Sequence, residues 1–417
     1  MSAVPASTAN GPRFLLPGEH FAAALLFLVL AALGAVWQAP MLAIGGYTAH
    51  QVLAVVHCIT LGWFTTSIMG ALYQFLPVAV GVPIASERLG HASFSCYTPG
   101  VLAFTAGLAF EQPTLLLAGV VALAVGATLF VANAGVTLRR ATTRDPLWWA
   151  LVWALVFLVV TLILGAALSA NLRLAFLGAA RPIALGAHLH IALAGWVLLS
   201  IIGVSQRLFP MFLLSHGGTD RYARWAVRLT AAGAGALSLL HHVPVVGRWL
   251  PAILIAGGLA AFLSQVREYY AHRFRKALDV GMRLSAMSLG GLGLALPFAL
   301  LTVAGIAPPR VQVAYVALVL TSVSAFVAAH YYKIVPFLVW NHRFGPLAGT
   351  RPLPRVGELY STQAAWASAA LYASGSLLLV ASAALGHTLG VRAGAALFAA
   401  GALVTSIQMV ALFRRHP

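Results

Sequence analysis

Apolar segments long enough to cross a bilayer follow one another along nearly the whole of this 417-residue chain. A run of about 18 apolar residues or more covers roughly 30 Å of hydrocarbon as a helix. The runs fall at approximately 21–39, 50–77, 93–110, 114–136, 147–169, 183–213, 225–243, 250–266, 282–304, 311–340, 362–385 and 390–413. They predict an all-α integral membrane protein with twelve transmembrane helices. Pro244 and Pro251 interrupt an almost continuous run and set the boundary between spans 7 and 8. Charged residues make up 8% of the chain, against about 25% in soluble domains.

The net charge of +17 would point to nucleic acid in a soluble domain, but its distribution excludes that partner. With the N-terminus inside, only Arg173, Arg181, Arg248, Arg310 and Arg392 of the 25 Lys and Arg fall on the odd loops. This bias is the positive-inside rule. It places both termini in the cytoplasm of a multi-pass protein of the bacterial inner membrane. Arg139-Arg140, Arg273 to Lys276 and Arg414-Arg415 read as cytoplasmic anchors that favour anionic lipid. The polar, proline-containing start of the chain does not have the form of a cleavable signal peptide. Residues 1–20 are therefore expected to be a cytoplasmic segment ahead of an inserting first span. The two cysteines, Cys58 and Cys96, make neither a c-type haem attachment nor a zinc pattern.

The pattern H-x4-G-W-x6-G-x6-P occurs twice, each time inside a long apolar run. One copy runs from His57 through Gly62, Trp63 and Gly70 to Pro77, the other from His190 through Gly195, Trp196 and Gly203 to Pro210. Tyr332-Lys333-Ile334-Val335-Pro336-Phe337 ends span 10 in a similar way, with Val316 where the other copies have histidine and Ala314 where the second has His188. The simplest reading is a single membrane domain, 1–417, of three pseudo-symmetric four-helix units, approximately 21–140, 141–275 and 276–413, with spans 2, 6 and 10 equivalent. At 1.5 Å per residue, His57 and His190 lie about 30 Å from their prolines, near the outer surface. His50, His241, His242 and His387 are expected at the same level. His330 lies roughly 9 Å from the inner end. Glycines seven or eight residues apart, with Trp63 and Trp196, read as close helix contacts.

This plan resembles the catalytic subunit of the haem-copper oxidases: twelve spans in three groups of four, with metal-binding histidines near the outer ends of spans 2, 6, 7 and 10. His188-Leu189-His190, followed by Gly195-Trp196 and Arg207-Leu208-Phe209-Pro210, is similar to the family's span 6 helix, and His241-His242 to its copper-binding pair on span 7. The resemblance covers the chain as architecture and perhaps 80 residues as motif. It implies haem b, copper or both. Span 10 departs from the family in having no histidine at the outer level, and spans 6 and 7 lack an outer tyrosine. All eight acids (Glu19, Glu87, Glu111, Asp145, Asp220, Glu268, Asp279 and Glu358) are expected in loops or at span ends. The pattern leans away from a carboxylate proton pump and toward a divergent member such as the NnrS-like proteins.

His190, His241 and His242 are the expected metal ligands, since three neutral imidazoles suit copper or zinc. His57 is the expected haem ligand, with His188 as a second axial imidazole and His50, on the same helix face, able to replace His57. His188 and His190 point about 200° apart on a helix, so one can face span 7 and the other span 2. His330, Tyr331, Tyr332 and Lys333 read as an inner-surface cluster in which Lys333 reaches the cytoplasm. The expected function is a redox metalloprotein that takes electrons from a donor and handles a diatomic gas, NO or O2. The alternatives are a non-catalytic copper or haem transporter or sensor, or a structural subunit of a respiratory complex.

Overall fold

The computed structural model describes residues 11–216 and 218–415, all of it helices and connections apart from one isolated bridge between Ser215 and Arg273. Among the described residues, ten helices are long and apolar enough to cross a membrane: α1 (Leu15–Trp37), α2 (His50–Val80), α4 (Pro113–Arg139), α5 (Pro146–Leu174), α6 (Gly178–Leu213), α8 (Val246–Ala271), α9 (Val280–Val303), α10 (Pro309–Leu347), α11 (Thr362–Leu385) and α12 (Thr388–Arg414). Two more long helices, α3 (Glu87–Ala109) and α7 (Arg221–Leu240), stand at expected spans but are more polar in their first turns. The expected N-terminal segment lies partly outside the described residues, and α1 begins six residues before the expected position.

Two compact units result. One holds Ala71–Gly100 and Leu116–Lys276; the other holds Arg13–Gly70, Val101–Leu115 and Ala277–Pro417. Within hydrocarbon, apolar burial gives no preference for a neighbouring helix over lipid, so close association needs small residues. Each expected four-helix group ends in a hairpin closed by two reciprocal glycines. A methyl group on Gly126 would lie 2.6 Å from Tyr97 N, and one on Gly100 would lie 2.8 Å from Leu123 N. The same arrangement recurs at Gly233 against Ile255 with Gly258 against Thr230, and at Gly375 against Phe398 with Gly394 against Leu379.

The first hairpins follow a related rule. Gly62 and Gly70 of α2 rest on Phe27 and His20 of α1, while Gly195 and Gly203 of α6 rest on Phe157 and Ala150 of α5. In the last group the glycines change sides. Gly281 and Gly291 belong to α9 and rest on Ala329 and Ser322 of α10. The contact is kept, but its sequence signature moves to the partner helix, which is why span 10 carries no third G-W copy.

Helix starts are set by side-chain caps. Asp145 accepts from Trp148 N at 3.0 Å, Asp279 from Met282 N at 3.0 Å and Ser361 from Ala364 N at 3.3 Å, each satisfying a terminal N–H. The α7–α8 boundary differs from the expectation. The turn is His241 to Val245, and Pro251 lies inside α8. Val245 takes φ 64°, and a methyl on Gly247 would collide with Leu240 O, so the reversal depends on this glycine.

Two substitutions on α4 test the role of these contacts. Gly126→Ala should destabilise the protein by about 1–3 kcal/mol through overpacking. Gly135→Ala, which meets nothing within 4 Å, should be neutral or gain up to about 1 kcal/mol. Thermal denaturation in detergent distinguishes them; equal melting temperatures would contradict the packing account.

Candidate functional site

The two sequence motifs share an unexpected backbone feature. α2 is α-helical over His50–His57, π-helical over Cys58–Thr65 and α-helical again over Thr66–Val80. α6 follows the same course: α-helical over Arg181–His190, π-helical over Ile191–Leu198, then α-helical over Leu199–Leu213. Each π segment is eight residues long and starts directly after the motif histidine. Both contain the Gly-Trp pair. A π turn carries an extra residue, re-aims the side chains around it and is frequent at functional sites.

In the first copy, threonines support the widened turns: the hydroxyls of Thr60, Thr65 and Thr66 donate to Val56 O, Thr60 O and Leu61 O at 2.9, 2.8 and 3.2 Å. The matching positions in the second copy are Leu193, Leu198 and Leu199. The π segment therefore does not depend on threonine. α10 is the internal comparison. Val316 replaces the histidine there, and the helix is regular from Pro309 to Val339. A π segment occurs in α10 only at Trp340–Phe344, beyond Pro336; at the level of the motif histidine, the π segment accompanies the histidine.

His57 donates from Nδ1 to Leu53 O at 2.7 Å, and His190 donates from Nδ1 to Gly186 O at 2.8 Å. A carbonyl only accepts, so each ring carries its proton on Nδ1 and Nε2 is the nitrogen with ligand chemistry. Metal-binding histidines commonly hold this arrangement. The bond alone is not diagnostic, because His20 and His330 make it to Leu16 O and Phe326 O. The ring of His57 meets Phe104 edge-on with centroids 5.1 Å apart.

The other expected ligands are placed as follows. His188 turns toward α5: a methyl on Gly165 would lie 3.1 Å from its Cε1. His57 belongs to one compact unit, and His188, His190, His241 and His242 belong to the other. His241 and His242 form a perpendicular ring pair with centroids 5.6 Å apart, at the C-terminal end of α7. Among the described residues, no three His, Cys, Asp or Glu side chains form a group able to hold a metal ion. The structure thus joins His241 to His242 but does not assemble either with His190 as a three-ligand set. His50 stands 3.8 Å from Glu111, and His387 caps α12 by accepting from Gly390 N at 3.1 Å.

The span 10 cluster is interior, not an exposed surface. Tyr331 and Tyr332 are each 2% exposed. Tyr331 shares a 2.8 Å hydrogen bond with Ser67 and packs on Trp63 and Phe21. Tyr332 contacts Ser368 at 3.0 Å and accepts from Gln408 at 2.9 Å. Lys333 pairs with Asp279, the cap of α9, at 2.5 Å. Arg207 and Asp145 form the matching pair at 2.6 Å. Each pair joins the cap of a group's first helix to the cation three residues before the proline of its second helix. The first group has Gln74 at that position. A polar cavity of about 380 Å³ opens beside Arg207 and Asp145, lined also by Gln206, His216, Asp220 and Tyr269.

Sequence reasoning missed these ion pairs, although the signal was present: an aspartate directly before spans 5 and 9, and a cation three residues before Pro210 and Pro336. A search against protein-family models finds no match, and comparison with curated proteins finds no similar sequence.

Tyr360, in the connection before α11, has its pKa pushed up to about 12, first by burial and then by the nearby Asp279 and Tyr332. The folded state thus favours the neutral phenol. The associated stability is present below the ordinary value near 10 and is lost as pH rises through about 12. Chemical denaturation across that range should show a smaller loss in Tyr360→Phe than in the parent. Identical pH profiles would contradict the assignment.

Proposed function

We propose that this chain is a twelve-helix redox metalloprotein of the bacterial inner membrane, similar in plan to the haem-copper oxidase catalytic subunit. His57 and His190, each within its own compact unit, would be equivalent ligands for haem b. One observation carries the reading: an imidazole with its proton fixed on Nδ1 is followed directly by a π segment in two helices, and at the matched level of α10, where Val316 replaces the histidine, the helix stays α-helical, its own π segment (Trp340–Phe344) lying beyond Pro336. Retaining imidazoles within membrane spans also needs a reason, and ligation supplies one.

The donors fit haem. In each, the proton on Nδ1 puts the lone pair that iron would take on Nε2. Haem held there would supply one-electron chemistry and could bind a diatomic gas such as NO or O2. Leu53 O and Gly186 O fix ring orientation, while Phe104 packs one ring in place. Among the described residues, His190, His241 and His242 do not form a three-ligand group.

The alternative, a non-catalytic haem or copper transporter or sensor, is favoured by the placement of the acids. All eight lie in the connections, as caps or within two turns of a helix end. Asp145 and Asp279 are committed to cation pairs, and such a distribution provides no carboxylate relay through the spans.

A reduced-minus-oxidised spectrum with metal analysis on the same purified protein separates these readings. The proposal expects a b-type spectrum that is largely lost in His57→Ala or His190→Ala and kept in His20→Gln, whose ring makes the same backbone bond without a π segment. A colourless protein with stoichiometric copper or zinc would favour transport or sensing. A protein with neither would leave a structural subunit.

A further inference from the structure

α7 is set apart by its arginines. Arg221, Arg224 and Arg228 lie three and four residues apart on one helix face, and all are exposed. The buried face is Ala223, Ala226, Val227 and Thr230, packed on α8. Tyr222 and Trp225 share the outward side at 42% and 47% exposure. Arg228 stacks its guanidinium over Trp225, 5.8 Å from the ring centroid.

The neighbouring helix adds to the patch. Ala223 N donates to Gln265 of α8 at 3.0 Å, which brings the exposed Arg267 to the level of Arg221 in this antiparallel hairpin. The nearby acids are Asp220 and Glu268. Asp220 pairs with Arg224. Glu268 accepts from Thr219 N at 3.3 Å and from Gln265 at 3.3 Å. Four guanidiniums therefore face two carboxylates, and the patch stays cationic.

The scaffold does not require these arginines. In α11 the corresponding buried stripe is Ala365, Ser368, Ala369 and Tyr372. Its outward counterparts of Arg221, Arg224 and Arg228 are Gln363, Trp366 and Ala370, and no residue of Thr362–Leu385 is charged. A stripe reaching about 10 Å along the helix axis, with aromatic residues at its base, matches the depth over which a lipid headgroup meets acyl chain. Guanidiniums form forked hydrogen bonds to phosphate and stack on aromatic faces at the same time.

We propose that the outward face of α7, with Arg267 of α8, is a binding site for anionic phospholipid. The proposal rests on the membrane reading of the fold. Charge complementarity selects the lipid: clustered arginines attract an anionic membrane surface.

Native mass spectrometry of the full chain, released from nanodiscs of mixed phosphatidylglycerol and phosphatidylcholine, tests it. The parent should retain phosphatidylglycerol preferentially. The triple variant Arg221→Gln, Arg224→Gln, Arg228→Gln should lose on the order of tenfold of that preference. Replacing the same three by lysine should keep most of it, and Arg139→Gln, Arg140→Gln, Arg144→Gln, at an anchor that meets anionic lipid only diffusely, should cost clearly less than the α7 variant. Unchanged retention in the α7 glutamine variant would overturn the proposal and leave the face to an acidic protein partner. Equal losses in both glutamine variants would overturn it in favour of diffuse charge. A chain that retains no lipid of either class would instead overturn the membrane reading.

Discussion

Backbone hydrogen bonding without water governs this molecule. In hydrocarbon each N–H and C=O must be satisfied within the segment, which restricts spanning elements to helices and closed barrels. A helix in that setting can change its winding only by closing its bonds another way. The π segments Cys58–Thr65 and Ile191–Leu198 do so over two short stretches. They are also where the glycines of α2 and α6 meet Phe27 and Phe157. Altered winding, closest helix approach and the motif histidine coincide, so the backbone that positions each imidazole is braced by the tightest contact on its helix.

The three helix groups solve the same packing problem with different residues. Reciprocal glycines close the last hairpin in all three. The first hairpin uses glycines on its second helix in two groups and on its first helix in the other. The Asp–cation pair is present where Asp145 and Asp279 cap a helix, with Arg207 and Lys333 opposite. The more exposed pair contributes little to stability in water. The Asp279 pair, whose Lys333 is 13% exposed, is costlier to break from one side. Contact geometry has therefore been kept more faithfully than sequence.

The helices were legible because membrane thickness imposes a length that composition reveals directly, and ten of the expected spans meet that criterion. α3 and α7 were legible as helices but carry charges that weaken the signal, and in α7 those arginines have a separate physical reading. The π segments were not legible, since Leu193, Leu198 and Leu199 replace the threonines of the first copy and no residue type marks the winding. The Lys333 ion pair was missed because its partner, Asp279, is 54 residues away. It is evident only once α9 and α10 are paired. The His241-His242 pair was legible as a pair, whereas its relation to His190 depended on a resemblance and not on local physics.

The central claim is that the motif imidazoles ligate haem iron and do not serve only as buried hydrogen-bond donors. Chemical rescue tests this directly. His57→Gly and His190→Gly proteins would be purified, their reduced-minus-oxidised spectra recorded, and imidazole then added. The account predicts loss of the b-type signal in each variant and its return with imidazole, because a free ring can restore an axial ligand without restoring the covalent link to the helix. A b-type signal that survives both substitutions would show that neither histidine holds the iron and would contradict the account.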